Sequence, residues 1–160
     1  MARRSGLRRL ADAVRHTAGA AWRFIGLRGA RAGDAEYLRV GRLGEEAAAQ
    51  HLRGAGMVVV ARNALVKFGE ADIVAREGGV FVVVEVKTRL RDGGGPRQSN
   101  TVAPEASVTR AKMAKLKRIG SWLAGQNAWP AWRIDVVAVE VAREGEGLRV
   151  RSVRHLRDVR

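Results

Sequence analysis

Hydrophobic and polar positions along the chain predict seven secondary-structure elements. Apolar residues at three- and four-residue spacing predict helices over 43–53 and 108–125. Alternating or continuous apolar runs bounded by glycine predict strands over 57–62, 71–76, 80–88, 132–141 and 148–153. The order αβββαββ favours an α/β fold in which helices flank a mixed central sheet.

The second and third strands are predicted to form a hairpin. Gly78 and Gly79 fit a two-residue turn, which places Asp72 opposite Glu85. Glu70 then lies opposite Lys87, and side-chain alternation puts all four residues on one face. The strand over 80–88 is apolar on both faces, which is typical of a strand in the middle of a covered sheet.

Two facing carboxylates need compensation, because their Cβ atoms would stand only about 5 Å apart and like charges there destabilise a sheet. A shared proton or a bound cation would supply it, and hard oxygen ligands select Mg²⁺ or Mn²⁺. With Lys87 beside Asp72 and Glu85, the set could activate water against a phosphodiester. The structural interpretation is a Glu70–Lys87 ion pair with Asp72 accepting backbone donors. The residues alone leave both open.

The first predicted helix offers a third carboxylate. Helical geometry directs Glu45 with the small apolar face that contains Ala49 and Leu52, whereas Glu46 points to solvent. An inward glutamate next to a carboxylate-bearing sheet would support a metal site. A partly exposed Glu45 without such a role is the alternative.

Composition adds a partner class. The 160 residues include 30 Lys and Arg against 16 Asp and Glu, a net charge of +14, which indicates a polyanion such as nucleic acid. Residues 1–42 and 87–118 each carry +7, and residues 43–86 carry −2. A phosphate-contacting rim is predicted, with a solvated face as the alternative, from Arg89, Arg91, Arg97, Lys112, Lys115 and Arg118.

Other features set the expected organisation. The absence of cysteine excludes disulfides and thiolate chemistry and fits a reducing, cytoplasmic location. No stretch is long and apolar enough to be predicted as a transmembrane segment. We expect a basic extension over 1–36 that is helical or partly disordered, an α/β domain over 37–155 and a basic tail over 156–160.

Several motifs together resemble a known family, the YraN family of PD-(D/E)XK nuclease-like proteins. The matching residues are Gly44-Glu45, Arg62-Asn63, Gly69-Glu70-Ala71-Asp72, Val84-Glu85-Val86-Lys87-Thr88-Arg89 and Val108-Thr109 with Lys112. The resemblance covers about residues 42–141, and the motif order is also similar to that of archaeal Holliday-junction resolvases. Ala71 departs from the family, which usually has a larger aliphatic residue there.

The resemblance implies a restriction-endonuclease-like fold and a set of roles. Asp72, Glu85 and the backbone carbonyl of Val86 would bind the metal, and Glu45 would support it. Lys87 would orient the attacking water or stabilise phosphate charge.

We therefore expect a Mg²⁺-dependent endonuclease acting on DNA, including branched or otherwise structured DNA, with a homodimer as one way to cut two strands. The alternative is a non-catalytic nucleic-acid-binding protein that retains the fold. A third hypothesis, a membrane-surface adaptor, rests on the basic amphipathic pattern of residues 1–28.

Overall fold

The structure, a computed structural model, describes residues 32–91 and 108–159. The elements within these ranges are α1 (Ala32–Gly54), β1 (Val58–Val66), β2 (Gly69–Glu77), β3 (Val80–Arg91), α2 (Arg110–Asn127), β4 (Ala131–Glu144) and β5 (Gly147–Leu156). Their order confirms the predicted αβββαββ arrangement. The helix α1 is longer than predicted, since it includes residues that the sequence assigned to the N-terminal extension.

One five-stranded sheet in the order β1-β2-β3-β4-β5 organises the domain. Neighbouring strands are antiparallel except β3 and β4, which are parallel, so the sheet is mixed as predicted. The strand β3 is central, and four consecutive residues, Val82 to Glu85, are buried. This confirms the position expected for a strand that is apolar on both faces.

The two helices cover the two faces of the sheet. On the α1 face, Ala48 and Leu52 are fully buried in a cluster with Ile73 and Val84. On the α2 face, the buried side chains belong to Leu116, Ile119, Leu123, Val74, Val83 and Ile134. Each face of the sheet therefore has its own apolar core.

The helix α1 approaches β3 closely at Gly44. A Cβ atom at this position would lie 1.8 Å from Thr88 Oγ1, so a larger residue cannot fit without displacing the helix. The glycine at this position therefore allows the contact that fixes the neighbouring Glu45 over the sheet.

The helix α2 begins at a defined cap. Thr109 Oγ1 accepts a hydrogen bond from the backbone N–H of Lys112 at 3.2 Å, a typical N-cap interaction. Two tryptophans pack near its other end: Trp129 stacks on Phe81 with ring centroids 4.2 Å apart, and Trp132 lies against Gly120. Neither described helix is long and apolar enough to cross a membrane.

The buried carboxylate of Asp135, in β4, holds the C-terminal residues against this strand. The Asp135 carboxylate is fully buried and accepts hydrogen bonds from Arg133 Nε and from the backbone N–H of Asp158, each at 2.9 Å. His155 Nε2 lies 2.9 Å from its other oxygen. Burial raises the pKa of Asp135, but these hydrogen bonds outweigh it, so the net pKa is lowered and the group is ionised.

Candidate metal centre at a fork in the sheet

The sheet forks between β2 and β3. The predicted register holds from Glu77–Val80 at the Gly78-Gly79 turn to Ile73–Val84, where the ladder between these strands ends. Beyond that pair, β2 continues along β1 and β3 continues along β4. Asp72 and Glu85 are the first residues past the last pair, so both stand at the point where the strands separate.

At this point the side chain of Asp72 accepts a hydrogen bond that a paired strand would otherwise accept. Its Oδ2 accepts a hydrogen bond of 2.7 Å from the backbone N–H of Val86, a group that β2 no longer reaches. A strand residue directs its N–H and its C=O to the same side, so the Val86 carbonyl is also directed into the fork. The fork therefore contains a carboxylate and a backbone carbonyl, both suited to a hard cation.

The carboxylate of Glu85 is almost completely buried, with 2% of the residue exposed. Lys87 Nζ lies 2.9 Å from Oε1, and Lys112 Nζ lies 2.9 Å from Oε2. Oε2 nevertheless has no hydrogen bond of acceptable geometry from any described residue. Lys87 therefore pairs along its own strand with Glu85. Glu70 does not lie opposite Lys87 as predicted, and the alternative of a Glu70–Lys87 ion pair is not formed, because β2 and β3 have separated there.

The surroundings of Asp72 alter its ionisation. Burial and the nearby negative charge of Glu85 raise the pKa of Asp72 to about 7, with Glu45 adding to the rise. The Val86 N–H and the charge of Lys112 act in the opposite direction. Asp72 thus lies in a place where an added positive charge would be strongly favourable.

Glu45 reaches this centre from α1. Its Oε2 accepts a hydrogen bond from Asn63 Nδ2 at 3.3 Å, and Arg62 lies 3.9 Å away. Asn63 has a φ of 50°, a left-handed conformation that asparagine tolerates better than most residues. Glu46, predicted to be only solvated, is half-exposed and bonded at 2.6 Å to Arg62 Nη1. The side chains of Glu45 and Glu46 are 29% and 46% exposed and both lie near Arg62, so Glu45 is partly exposed, as the alternative held, and differs from Glu46 less than predicted.

These donors fit a divalent cation in composition. Within residues 32–91 and 108–159, no three His, Cys, Asp or Glu side chains stand close enough to form a metal site by themselves. Mg²⁺ commonly takes only one or two carboxylates and completes its shell with other oxygens and water. Asp72, Glu85 and the Val86 carbonyl supply such a set, and the buried Glu85 Oε2 is an oxygen whose hydrogen bonding is incomplete.

The predicted phosphate-contacting rim divides into three groups. Arg89, Lys115 and Arg118 are exposed on the α2 side of the domain. Arg91 is engaged with Glu140 at 2.9 Å, and Lys112 enters the fork itself. Arg97 lies outside the described residues.

Sequence reasoning missed some of the residues around the fork. It placed Lys112 on an outer rim, whereas the Thr109 cap starts α2 where Lys112 can reach Glu85. It quoted Asn63 only as part of the family resemblance. Asparagine tolerates a left-handed backbone better than most residues, and this was the available signal for Asn63. Its partner Glu45 is 18 positions away, so the sequence does not indicate the contact between them.

Comparison with known proteins identifies the family. The sequence model of the uncharacterised protein family UPF0102 matches residues 44–139, a range that contains every residue of the fork centre. The chain belongs to the UPF0102 family. UPF0102 is the YraN family, so the resemblance noted in the motifs is confirmed.

Individual UPF0102 proteins match most of the chain. One from Mycolicibacterium vanbaalenii is 42% identical over 123 residues, which cover 75% of this chain and 92% of the relative. One from Symbiobacterium thermophilum is 41% identical over 118 residues, covering 73% and 94%. One from Kineococcus radiotolerans is 46% identical over 110 residues, covering 66% and 84%.

Proposed function

We propose that the fork is the active centre of a Mg²⁺- or Mn²⁺-dependent endonuclease of the PD-(D/E)XK fold that hydrolyses DNA phosphodiesters. The observation that carries the proposal is the pairing of a buried carboxylate, Glu85, with a partly buried one, Asp72, at a break in the sheet. Such a pair destabilises the fold unless a cation or a proton compensates it. Lys87 and Lys112 lie beside the two oxygens of Glu85 and provide the positive charge that phosphodiester hydrolysis also needs.

Asp72, Glu85 and the Val86 carbonyl would hold the metal, and Glu45 would bind its water shell from the α1 side. When bound, the metal ion lowers the pKa of water and neutralises charge on the phosphate. The hydrogen bond from Val86 N–H holds the Asp72 carboxylate in place through Oδ2 and leaves the other lone pairs of the carboxylate for a ligand. Asn63 orients Glu45 in a similar way.

The lysines supply positive charge where an attacked phosphate would lie. Lys87 Nζ stands beside Glu85 Oε1 and can orient a water molecule or donate to a phosphate oxygen. Lys112 comes from α2 and approaches the other oxygen of the same carboxylate. Two ammonium groups close to one carboxylate leave hydrogen-bonding capacity for an anionic ligand.

DNA as the substrate is supported by the basic surface around the fork. Arg89, Lys115 and Arg118 are exposed on the same side as Lys112, and the whole chain carries +14. Contacts between such side chains and phosphates position a nucleic acid over a site without reading its sequence.

Metal-dependent cleavage tests the proposal. Purified protein is incubated with linear, flapped and four-way DNA in Mg²⁺, in Mn²⁺ and in EDTA. We expect cleavage only with metal, and a loss of at least about a hundredfold in Asp72→Asn, because positioned metal and base chemistry contribute at least that much. DNA binding by Asp72→Asn should remain within about twofold of wild type.

Two matched substitutions serve as controls. Glu46→Gln changes a carboxylate next to Glu45 that is bonded to Arg62, so it should preserve cleavage, whereas Glu45→Gln should reduce it. Equal effects of the two would contradict the role given to Glu45. No cleavage of any DNA by a folded wild-type protein would contradict the endonuclease proposal.

The alternative, non-catalytic nucleic-acid binding, is favoured by one specific observation. Lys87 and Lys112 already compensate Glu85 without a metal. This function would give salt-sensitive DNA binding that is indifferent to Mg²⁺ and to Lys87→Ala. The endonuclease would instead lose cleavage in Lys87→Ala while binding persists.

A further inference from the structure

An open pocket of about 410 Å³ lies on the α2 surface near the fork. It is lined by Phe68, Lys117, Arg118, Ser121 and Trp122. Its volume falls within the range of about 300–1,000 Å³ that is typical of small-molecule sites. None of these residues belongs to the fork centre, so the pocket is separate from it.

The chemistry of the pocket favours a flat ring attached to an anionic chain. The guanidinium carbon of Arg118 lies 4.6 Å from the centroid of the Phe68 ring, and Lys67 Nζ lies 4.8 Å from it. A guanidinium stacked on an aromatic ring extends a platform on which nucleobases stack. Trp122 provides a second aromatic side chain and Lys117 a further cation.

A continuous basic row connects this pocket to the fork. Lys112, Lys115 and Arg118 follow each other at three-residue spacing, so consecutive members are neighbours on the surface of α2. Lys112 contacts Glu85, and the stem of Lys115 passes directly over Gly69, where an added Cβ would come within 2.0 Å of Lys115 Cε. Arg118 then contacts Phe68.

The length of this row matches a short piece of one DNA strand. Six residues of helix separate Lys112 from Arg118, or about 9 Å at 1.5 Å per residue. A single strand advances about 3.4 Å per nucleotide when stacked, so the pocket lies two to three nucleotides from the fork.

We propose that this pocket binds the base of an unpaired nucleotide in the strand that enters the fork. The substrate class is therefore DNA that contains single-stranded nucleotides on the α2 side, such as a flap, a gap or a junction arm. Paired bases hide their faces in the stack, whereas unpaired bases expose them to aromatic side chains. The assignment of the strand to the fork rests on the proposed endonuclease function, but the binding preference does not.

Binding measured without metal tests the pocket. Fluorescence anisotropy in EDTA compares a labelled oligothymidylate with a blunt duplex of two complementary strands that has the same total number of nucleotides and no loop. We expect Phe68→Leu and Arg118→Lys to weaken single-strand binding by about fivefold or more, since base stacking contributes that much or more per base. Duplex binding should change by less than about twofold, because Arg118→Lys retains the charge and removes only the planar surface.

Phe81→Leu is the matched control. Phe81 is also a partly buried phenylalanine on the α2 face, but it stacks on Trp129 and does not line the pocket. Its substitution should leave the ratio of single-strand to duplex affinity unchanged. Arg118 is exposed, so Arg118→Lys provides a folded variant even if Phe68→Leu lowers stability. Unchanged single-strand affinity in both pocket variants, or an equal loss on duplex, would overturn the proposal.

A cleavage measurement separates this inference from the proposed function. If the wild type cleaves no DNA but the pocket variants selectively lose single-strand binding, the pocket stands and the endonuclease does not. If the wild type cleaves flapped DNA and Arg118→Lys cleaves it equally well with unchanged single-strand affinity, the endonuclease stands and the pocket assignment is wrong.

Discussion

At the scale of single residues, Asp72 combines a structural and a chemical task. It accepts the Val86 N–H that no strand reaches, and its carboxylate is directed toward a region of negative charge. The hydrogen bond from Val86 favours the ionised form of Asp72, whereas burial and the charge of Glu85 favour the protonated form.

The raised pKa of Asp72 makes the stability of the metal-free protein depend on pH. Its pKa rises from 3.8 to about 7 on folding, so between these values the folded protein retains a proton that the unfolded chain releases. The stabilisation from this proton is complete below pH about 4 and is lost as pH rises through about 7. Asp72→Asn should remove this loss, which corresponds to about 1.4 kcal/mol per pH unit within the window.

Urea unfolding in EDTA across this pH range measures the effect. Wild type should lose stability relative to Asp72→Asn as the pH rises, and the difference should level off above about pH 7. Glu46→Gln is a suitable reference, since a hydrogen bond from Arg62 lowers the pKa of Glu46, the opposite direction. Parallel curves for wild type and Asp72→Asn would contradict the raised pKa.

Single residues also show how far sequence predicts a site. The Asp72–Glu85 placement is predictable because a two-glycine turn fixes the register of the hairpin. The predicted placement of Glu70 opposite Lys87 is wrong, because the separation of β2 from β3 depends on which strands pair farther along the sheet. The Glu45–Asn63 bond likewise joins residues that only the tertiary fold brings together.

At the scale of elements, the packing of α1 on β3 determines where Glu45 stands. Two glycines in this helix have opposite surroundings: a Cβ at Gly44 would meet Thr88, whereas a Cβ at Gly41 would meet nothing within 4 Å. Alanine at Gly41 therefore changes only helix propensity, whereas alanine at Gly44 changes helix propensity and also meets the sheet.

Alanine at these two positions should have opposite effects on stability. Gly44→Ala should destabilise the fold by about 1–3 kcal/mol, since α1 must move away from β3. Gly41→Ala should stabilise it by about 0.5–1 kcal/mol, because alanine loses less backbone entropy in a helix. Urea unfolding measures both changes. Stabilisation by both substitutions would show that α1 does not approach Thr88 this closely.

The same substitution tests the role of α1 in the proposed centre. Displacement of the helix by Gly44→Ala should reduce metal-dependent cleavage in protein that remains folded, because Glu45 moves with it. Gly41→Ala should leave cleavage unchanged.

Element order is predictable because apolar periodicity and glycine turns are local features. The length of α1 is not, since residues 32–42 include two glycines, which disfavour a helix, and place acidic and arginine side chains among the apolar ones. Packing against the sheet stabilises this segment as a helix, with Val40 buried in the α1-side core. Tertiary contacts of this kind outweigh intrinsic propensity.

At the scale of the whole molecule, charge is distributed unevenly between the described domain and the rest of the chain. Residues 1–31 contain eight arginines and one aspartate, about half of the net charge of +14. The fork centre, by contrast, collects the carboxylates of Glu45, Asp72 and Glu85. The arginines of residues 1–31 would thus attract a polyanion, whereas the fork is the region proposed to cleave it.

This distribution predicts a separation of binding from cleavage. Replacement of Arg3, Arg4, Arg8 and Arg9 with glutamine should weaken DNA binding and reduce the slope of log K against log salt by up to about 4, roughly one unit for each phosphate that an arginine no longer neutralises. Cleavage at saturating DNA should stay within about twofold of wild type. Affinities measured at several salt concentrations give the slope. An unchanged slope would show that these arginines do not contact the phosphates.

The hydrogen bond between Asp72 and Val86 has a spectroscopic consequence. The amide proton of Val86 is held by a titrating carboxylate, and its neighbours along β3 are not, so its NMR resonance should shift as Asp72 ionises. A cation that binds Asp72 should shift the same resonance at constant pH. One backbone signal in ¹⁵N-labelled protein thereby reports both the protonation of Asp72 and metal binding at the fork. The measurement does not require a substrate.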